Sequence, residues 1–262
     1  TPDERSVLVL AYNGKDKFGL YEWDAKKSAP GDPVFVHPDY DLSGVLLDPL
    51  TSDLVAAIYD AAGEKRFHYF GEYRARYLSR LPEEWRRESI EILSGSADRQ
   101  VLALLDASAT NPGDFYVRDR AGNVHLVGRK AENVDRTKLS PVDSFKTKSK
   151  DGVEVESFLA LPKEARGRAP LVVMPHGGPI GFHDSREYDP LVQYLTSWGF
   201  AVVQVNYRGS SGYGIEFKKL GAREWARGIE DDIDAAVEKA MADPRVDPER
   251  ICIFGWSYGG FS

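Results

Sequence analysis

The sequence predicts part of a β-propeller, about three blades, followed by strands and helices that alternate as in a mostly parallel α/β sheet. Three observations carry this expectation. Short apolar runs at residues 7–12, 55–60 and 101–106 begin 48 and 46 residues apart, and a period of about 40–50 residues built from short strands is that of propeller blades. Beyond residue 141 apolar strand-like runs alternate with helical stripes, the order that builds parallel sheets. The chain then finishes on Ile251-Cys252-Ile253-Phe254 running straight into Gly255-Trp256-Ser257-Tyr258-Gly259. That order reads as a buried strand, a sharp turn and the first turn of a helix.

Each blade shows the same parts. The runs above are followed by strands at 18–23, 67–70 and 115–118, with turn formers at 13–16, 62–64 and 111–114. Leading strands stand at 44–48 and 89–93, so the first blade lacks its own. Residues 72–81 break the β pattern and predict a short helix stopped before Pro82. His37, His68 and His125 lie in or beside blade strands and read as structural. Propellers close with about four to eight blades, so the chain is expected to begin inside a larger propeller. A small three-blade sandwich is the alternative.

Residues 131–141 are polar and without periodicity, which places a boundary between a propeller part at 1–133 and a second domain at 134–262. That domain opens with a hairpin, 142–148 and 153–161, around Lys150-Asp151-Gly152. A strand at 171–175, a helix around 191–195 and a strand at 201–205 follow. Ile229, Ile233, Val237 and Ala240 form the apolar stripe of a helix over 223–242, with Asp231, Asp232 and Asp234 read as its wet face. Asp247-Pro248 predicts a helix start or turn before the last strand.

Composition narrows the function classes. Hydrophobic residues make up 42% of 262 and charged residues 29%, an ordinary globular balance. A formal charge of −7 argues against nucleic-acid partners, which want a basic face. No apolar run is long enough for a membrane span. A single cysteine, Cys252, excludes an internal disulfide and a cysteine-based metal site, and its place in the last strand predicts a small buried hydrophobe. Thr1-Pro2-Asp3-Glu4-Arg5 shows no targeting signal and does not look like a true start. A cytoplasmic location is favoured, with secretion or a periplasmic location left open.

The chemistry concentrates in two glycine-bearing turns. Gly-x-Ser-x-Gly after a strand is a nucleophile elbow, which holds its serine in a strained turn and presents the hydroxyl above the sheet edge. The apolar run Leu171-Val172-Val173-Met174 leads into Pro175-His176-Gly177-Gly178-Pro179. In α/β-hydrolases the loop after the third strand donates a backbone N–H to an oxyanion hole, and His-Gly-Gly is one form of it. Together with Asn206-Tyr207-Arg208-Gly209-Ser210-Ser211-Gly212-Tyr213-Gly214, these motifs resemble the prolyl oligopeptidase family of serine peptidases. The nearest branch is that of acylaminoacyl peptidases and dipeptidyl aminopeptidases. The resemblance covers roughly residues 140–262 and implies the first half of an α/β-hydrolase domain behind the partial propeller.

On this reading Ser257 is the nucleophile and the N–H of Tyr258, the next residue, one oxyanion donor. The resemblance puts the second donor at Gly178, with Gly177 the alternative. His176 stands where some relatives place an oxyanion-donating tyrosine. Arg208 reads as a loop brace rather than a substrate ligand. A serine hydroxyl needs a base, and in this fold the acid and the histidine follow the serine in the chain. Neither occurs among residues 258–262, and His176 and His183 precede the serine, against that order. The triad acid and base are therefore expected outside this sequence. The expected partners are a peptide substrate and the remainder of the same polypeptide, as a continuation or a separate chain. No nucleic acid, membrane, metal or organic cofactor is implied. The rival readings are an esterase of the same fold and a non-catalytic, propeller-containing interaction protein.

Overall fold

Strand pairing follows the sequence repeat. In the computed structural model, which describes residues 7–48, 51–86, 90–164 and 167–262, the strands form four sheets among the described residues. The chain divides into two compact units: residues up to Val134 apart from 62–64, and Ala62–Glu64 with Asp135–Ser262. Residues 1–5, where no targeting signal was read, and Ser89 of the third leading strand lie outside the described residues.

The first unit is a partial propeller of three blades. The first is β1 (Leu8–Ala11), β2 (Gly19–Asp24) and β3 (Ala29–Phe35), and the second is β4 (Leu42–Leu47), β5 (Leu54–Ala61) and β6 (Glu64–Tyr69). The third has all four strands, β7 (Ile90–Gly95), β8 (Leu102–Ser108), β9 (Asn111–Arg118) and β10 (Val124–Arg129). The short helix α1 (Tyr73–Leu78) stops before Pro82, as the pattern predicts. Val55, Ala56, Leu81, Ile90, Leu102 and Leu104 make one buried cluster, and Leu20, Leu42 and Ala57 another. Each fully buried Leu, Ile or Val contributes about 1.5–3 kcal/mol. The three histidines make local contacts: His68 stacks on Phe35 at 3.9 Å, His37 Nδ1 accepts from the Asp39 and Tyr40 N–H groups, and His125 meets Asp119 at 2.7 Å.

One turn lies elsewhere than expected. Residues 111–114 belong to β9, and the turn falls at Ala109 and Thr110. Asp106 pairs with Asp114 and Ser108 with Asn111, so Pro112 and Gly113 form a bulge opposite a single residue. Proline has no N–H to give a ladder, and a bulge accommodates it. The Asn111 side chain donates to the Asp106 carbonyl at 2.8 Å and accepts from the Gly113 N–H at 3.1 Å, which satisfies the interrupted backbone.

The second unit carries the mixed sheet of an α/β-hydrolase half. Its strands are β11 (Val142–Lys148), β12 (Glu154–Ala160), β13 (Ala169–Val173), β14 (Ala201–Asn206) and β15 (Val246–Ile253), in the order β11-β12-β14-β13-β15. The hairpin and the β12–β14 pair are antiparallel, while β14–β13 and β13–β15 are parallel. Helix α2 (Pro190–Ser197) starts cleanly because Asp189 caps the Leu191 and Val192 N–H groups at 2.7 and 3.0 Å and Pro190 occupies the first turn. A six-residue helix α3 (Ile215–Leu220) follows β14. Helix α4 (Gly228–Met241) turns Ile229, Ile233, Ala236 and Ala240 onto Val203, Val205, Leu171 and Val246 of the sheet. It starts later than residue 223 because Arg223 and Ala226 take φ of 66° and 56°, outside helical space.

Three further expectations are corrected. Asp232 is not on a wet face: it is fully buried and holds Arg208. Its Oδ2 accepts from the Arg208 backbone N–H and Nε at 2.8 and 2.9 Å, and its Oδ1 accepts from Nη2 at 2.7 Å. Asp247-Pro248 lies inside β15, where residues 248–250 loop out between the pairs Asp247–Pro170 and Ile251–Leu171. Residues 251–254, Cys252 included, are exposed rather than buried in this chain, where β15 pairs with β13 alone among the described strands.

Replacing Asp232 by alanine leaves a buried guanidinium short of two hydrogen bonds and the Arg208 backbone N–H short of one. Loss of one partner of a buried pair costs about 3–5 kcal/mol. Urea unfolding of Asp232→Ala should show a loss of that size, and a loss below about 1 kcal/mol would mean that water replaces the carboxylate.

Candidate active site

The elbow is built by close approach of backbone to backbone. After β15 the Phe254 N–H donates to the Val173 carbonyl at 2.9 Å, holding the strand end against β13. The chain then turns through Ser257, with φ 55° and ψ −124°, into the short helix α5 (Tyr258–Phe261). A positive φ at a non-glycine residue costs on the order of 1–3 kcal/mol and persists only where the surroundings impose it. Here the imposing contacts are visible. A Cβ on Gly259 would lie 2.0 Å from the Pro175 carbonyl oxygen, and one on Gly255 would lie 2.3 Å from that of Gly259. No side chain fits at either position. The helix closes on the serine itself, whose carbonyl accepts from the Gly260 and Phe261 N–H groups at 3.1 and 3.2 Å.

The loop after β13 runs beside this turn. A Cβ on Gly177 would stand 3.5 Å from both the Ser257 Cβ and the Trp256 carbonyl oxygen, so Gly177 passes directly alongside the serine. Gly178, with φ 135°, sits one residue further on, against Phe182. The structure thus brings together Ser257, Tyr258 and the Gly177–Gly178 pair.

His176 lies under the loop rather than at the hydroxyl. Burial holds its pKa down to about 4, so the ring is neutral near pH 7. Nδ1 is 2.8 Å from the Gly177 carbonyl oxygen, which only accepts, so the proton sits on Nδ1, while Nε2 lies 3.0 Å from the Ser210 hydroxyl, which also donates to the Tyr207 carbonyl at 2.7 Å. Tyr207 stacks on the ring at 4.3 Å and donates its hydroxyl to the His176 carbonyl at 2.6 Å. Fixing the Gly177 carbonyl toward the imidazole turns the Gly178 N–H of the same planar peptide the opposite way. His183 Nδ1 is taken by Ser211 at 2.8 Å. Among the described residues no histidine is bonded to Ser257.

Arg208 braces the loop after β14. Besides Asp232 it grips Asp151 through Nη1 and Nη2 at 2.7 and 3.0 Å, and it reaches Ser149 at 3.3 Å. Asp232 and then Asp151 raise the Arg208 pKa, and Arg208 in turn lowers that of Asp151. Two residues on in the same loop, Ser210 bonds the Tyr207 carbonyl through its N–H and its hydroxyl and meets His176. Tyr258 has its ring in the core cluster and its hydroxyl on Glu230 at 3.1 Å, and burial pushes its pKa up to about 12.

Sequence reasoning missed a second polar chain. The Tyr213 hydroxyl donates to the buried Glu156 at 2.8 Å and accepts from Asn206 Nδ2 at 2.7 Å, and Asn206 also clasps the backbone of Asp184. Gln204 and Asn206, polar residues in an otherwise apolar strand, were its one signal.

The chain is similar to known proteins in sequence and in fold. The sequence profile of the prolyl oligopeptidase family matches residues 186–262. Dipeptidyl aminopeptidase BIII of Pseudoxanthomonas mexicana is 29% identical over 273 residues, covering 100% of this chain and 39% of its own length. A puromycin-hydrolyzing peptidase of Mycobacterium tuberculosis superposes with a TM-score of 0.72 at 23% identity, covering 98% of this chain and 41% of that one. The acylaminoacyl peptidase of Pyrococcus horikoshii gives 0.68 at 22% identity, over 99% and 40%. The chain therefore spans about two fifths of the length of these relatives.

The contact at Gly259 yields a test. Gly259→Ala must push the Pro175 carbonyl away, and overpacking of this kind costs about 1–3 kcal/mol. Gly128→Ala, where a Cβ meets nothing within 4 Å, should stay within about 0.5 kcal/mol. Chemical denaturation of the two variants in parallel measures the difference, and equal midpoints would show that the elbow does not rest on this approach.

Proposed function

Because the chain belongs to the prolyl oligopeptidase family, we propose that it supplies the nucleophile and the oxyanion donors of a serine peptidase that cleaves oligopeptides through an acyl-enzyme. Ser257 attacks the scissile carbonyl. The N–H groups of Tyr258 and Gly178 receive the negative charge that develops on the carbonyl oxygen, each worth about 3–4 kcal/mol in the transition state. The observation that carries the reading is the Ser257 backbone at φ 55° and ψ −124° between β15 and α5, imposed by glycines that admit no side chain. The substrate class is that of acylaminoacyl or dipeptidyl peptidases, in keeping with the branch of the relatives.

The general base is none of the histidines of this chain. His176 has its two ring nitrogens engaged by Gly177 and Ser210, and His183 is held by Ser211. Residues 258–262 add neither an acid nor a histidine. The acid and base come from polypeptide beyond these residues, and the chain alone is nearly inactive. Loss of the base in triad enzymes lowers turnover by roughly a millionfold, while oxyanion stabilisation and binding retain roughly 10³–10⁴ over water.

Two measurements test this reading. In the protein that carries this chain, a fluorophosphonate should label Ser257, and Ser257→Ala should abolish labelling; undiminished labelling of that variant sinks the assignment. The same protein should turn over an acyl-amino-acid anilide, with residues 1–262 alone at least about a thousandfold slower. Turnover confined to short-chain esters would instead identify an esterase of the same fold.

A further inference from the structure

Asp184 is a part-buried acid for which the chemistry above has no use. It lies on the loop between β13 and α2, six positions beyond Gly178. Its backbone is clasped on both sides by one side chain: its N–H donates to Asn206 Oδ1 at 2.7 Å, and its carbonyl accepts from Asn206 Nδ2 at 2.9 Å. Asn206 is fully buried in β14, so the clasp fastens the loop to the centre of the sheet. The carboxyl itself is poorly served. Its Oδ2 is buried and has no hydrogen-bond partner.

The groups around it are neutral or negative. Gln204 of β14 bonds the carboxyl, Asp189 at the start of α2 faces it with the same charge, and Tyr207 lies close enough to feel it. Glu156 of β12 stands behind Asn206, joined through the Tyr213 hydroxyl. The basic residues next to it in sequence are turned elsewhere, His183 to Ser211 and Arg186 to the Val142 carbonyl. An ionised carboxylate in such a place lacks both solvation and a counter-charge, so the neutral acid is the stable form. Burial first, and then Asp189, raise its pKa to about 7.

We propose that Asp184 is a positioning residue that holds the Gly177–Gly178 segment in place only while its carboxyl is protonated, so that the loop after β13 loosens in alkaline solution. The sign follows from proton linkage. The folded state keeps a proton that the unfolded state releases at lower pH, so the acid stabilises the loop most at low pH. That contribution declines as pH rises to the folded pKa and is gone above it. The consequence for catalysis rests on the serine-peptidase reading; the consequence for the loop does not.

Hydrogen exchange of residues 175–189 in the protein that carries this chain decides the matter. Exchange times are scaled for the intrinsic pH dependence of the amides. Between about pH 6 and pH 8.5 the protection of this segment should fall roughly tenfold in the wild type, since only the one unit from pH 6 up to the folded pKa of about 7 contributes. Asp184→Asn, uncharged at every pH, should keep its protection. Protection independent of pH in the wild type, or the same fall in the variant, overturns the proposal. If the variant does not fold, the infrared carbonyl stretch of a protonated carboxyl is followed in the wild type, and its absence at pH 6 is equally decisive against it. In activity, the alkaline limb of kcat/KM should vanish in Asp184→Asn while fluorophosphonate labelling of Ser257 persists. A protein that neither labels nor turns over peptides refutes the serine-peptidase reading, and the exchange result still stands by itself.

Discussion

The site depends on one steric constraint: three pieces of backbone pass where no side chain fits. The Gly259 Cα and the Pro175 carbonyl leave a gap that even a methyl group overfills, and Gly255 folds back on the Gly259 carbonyl in the same way. The strand end, the elbow and the loop after β13 are therefore placed together or not at all. This enforced convergence holds Ser257 at a positive φ and sets Gly177 beside it. The cost of the strained residue is offset by the packing of the parallel strands β13 and β15 that lead into the two turns.

A second tier keeps those turns from drifting. Arg208 ties three segments distant in sequence, the turn of the first hairpin at 149–151, the loop after β14 and the face of α4. Its planar fork suits this task, because it meets two carboxylates bidentately where an ammonium would act as a point charge. From Arg208 the order passes to Ser210, then to the neutral ring of His176, then to the Gly177 carbonyl. Arg208 and Ser210 are joined through the chain, while Ser210 to His176 and His176 to Gly177 are hydrogen bonds, and in such surroundings bonds are strong and unmade ones costly. The same low-dielectric surroundings make Arg208 a robust cation and His176 a neutral base: one group has its counter-charges and the other has none.

The contrast between Asp232 and Asp184 follows from the same principle. Both are aspartates near the loops of the site, Asp232 fully buried and Asp184 with its Oδ2 buried. Asp232 accepts three bonds from a guanidinium and its backbone, whereas Asp184 has a glutamine and a like charge for company. Burial alone says little about the charge state of a carboxyl; the partner decides it.

The sequence by itself determined the repeat of the propeller strands, the helical stripe of α4, the hairpin at Asp151-Gly152, the two glycine turns and the identity of the serine between them. These are local features, fixed by periodicity of two or 3.6 residues and by backbone conformations that few residue types allow. Only the tertiary structure decided which polar residues are buried. Asp231, Asp232 and Asp234 are neighbours in sequence, yet Asp232 alone has an arginine from the end of β14 waiting for it. Ile251-Cys252-Ile253-Phe254 is as apolar as any core strand, and its exposure goes with pairing to β13 alone among the described strands. Pro112-Gly113 spells a turn, yet it forms a bulge because the pairing of β8 and β9 runs past it. Burial, charge state and strand position are each set by segments tens of residues away, and no local pattern contains them.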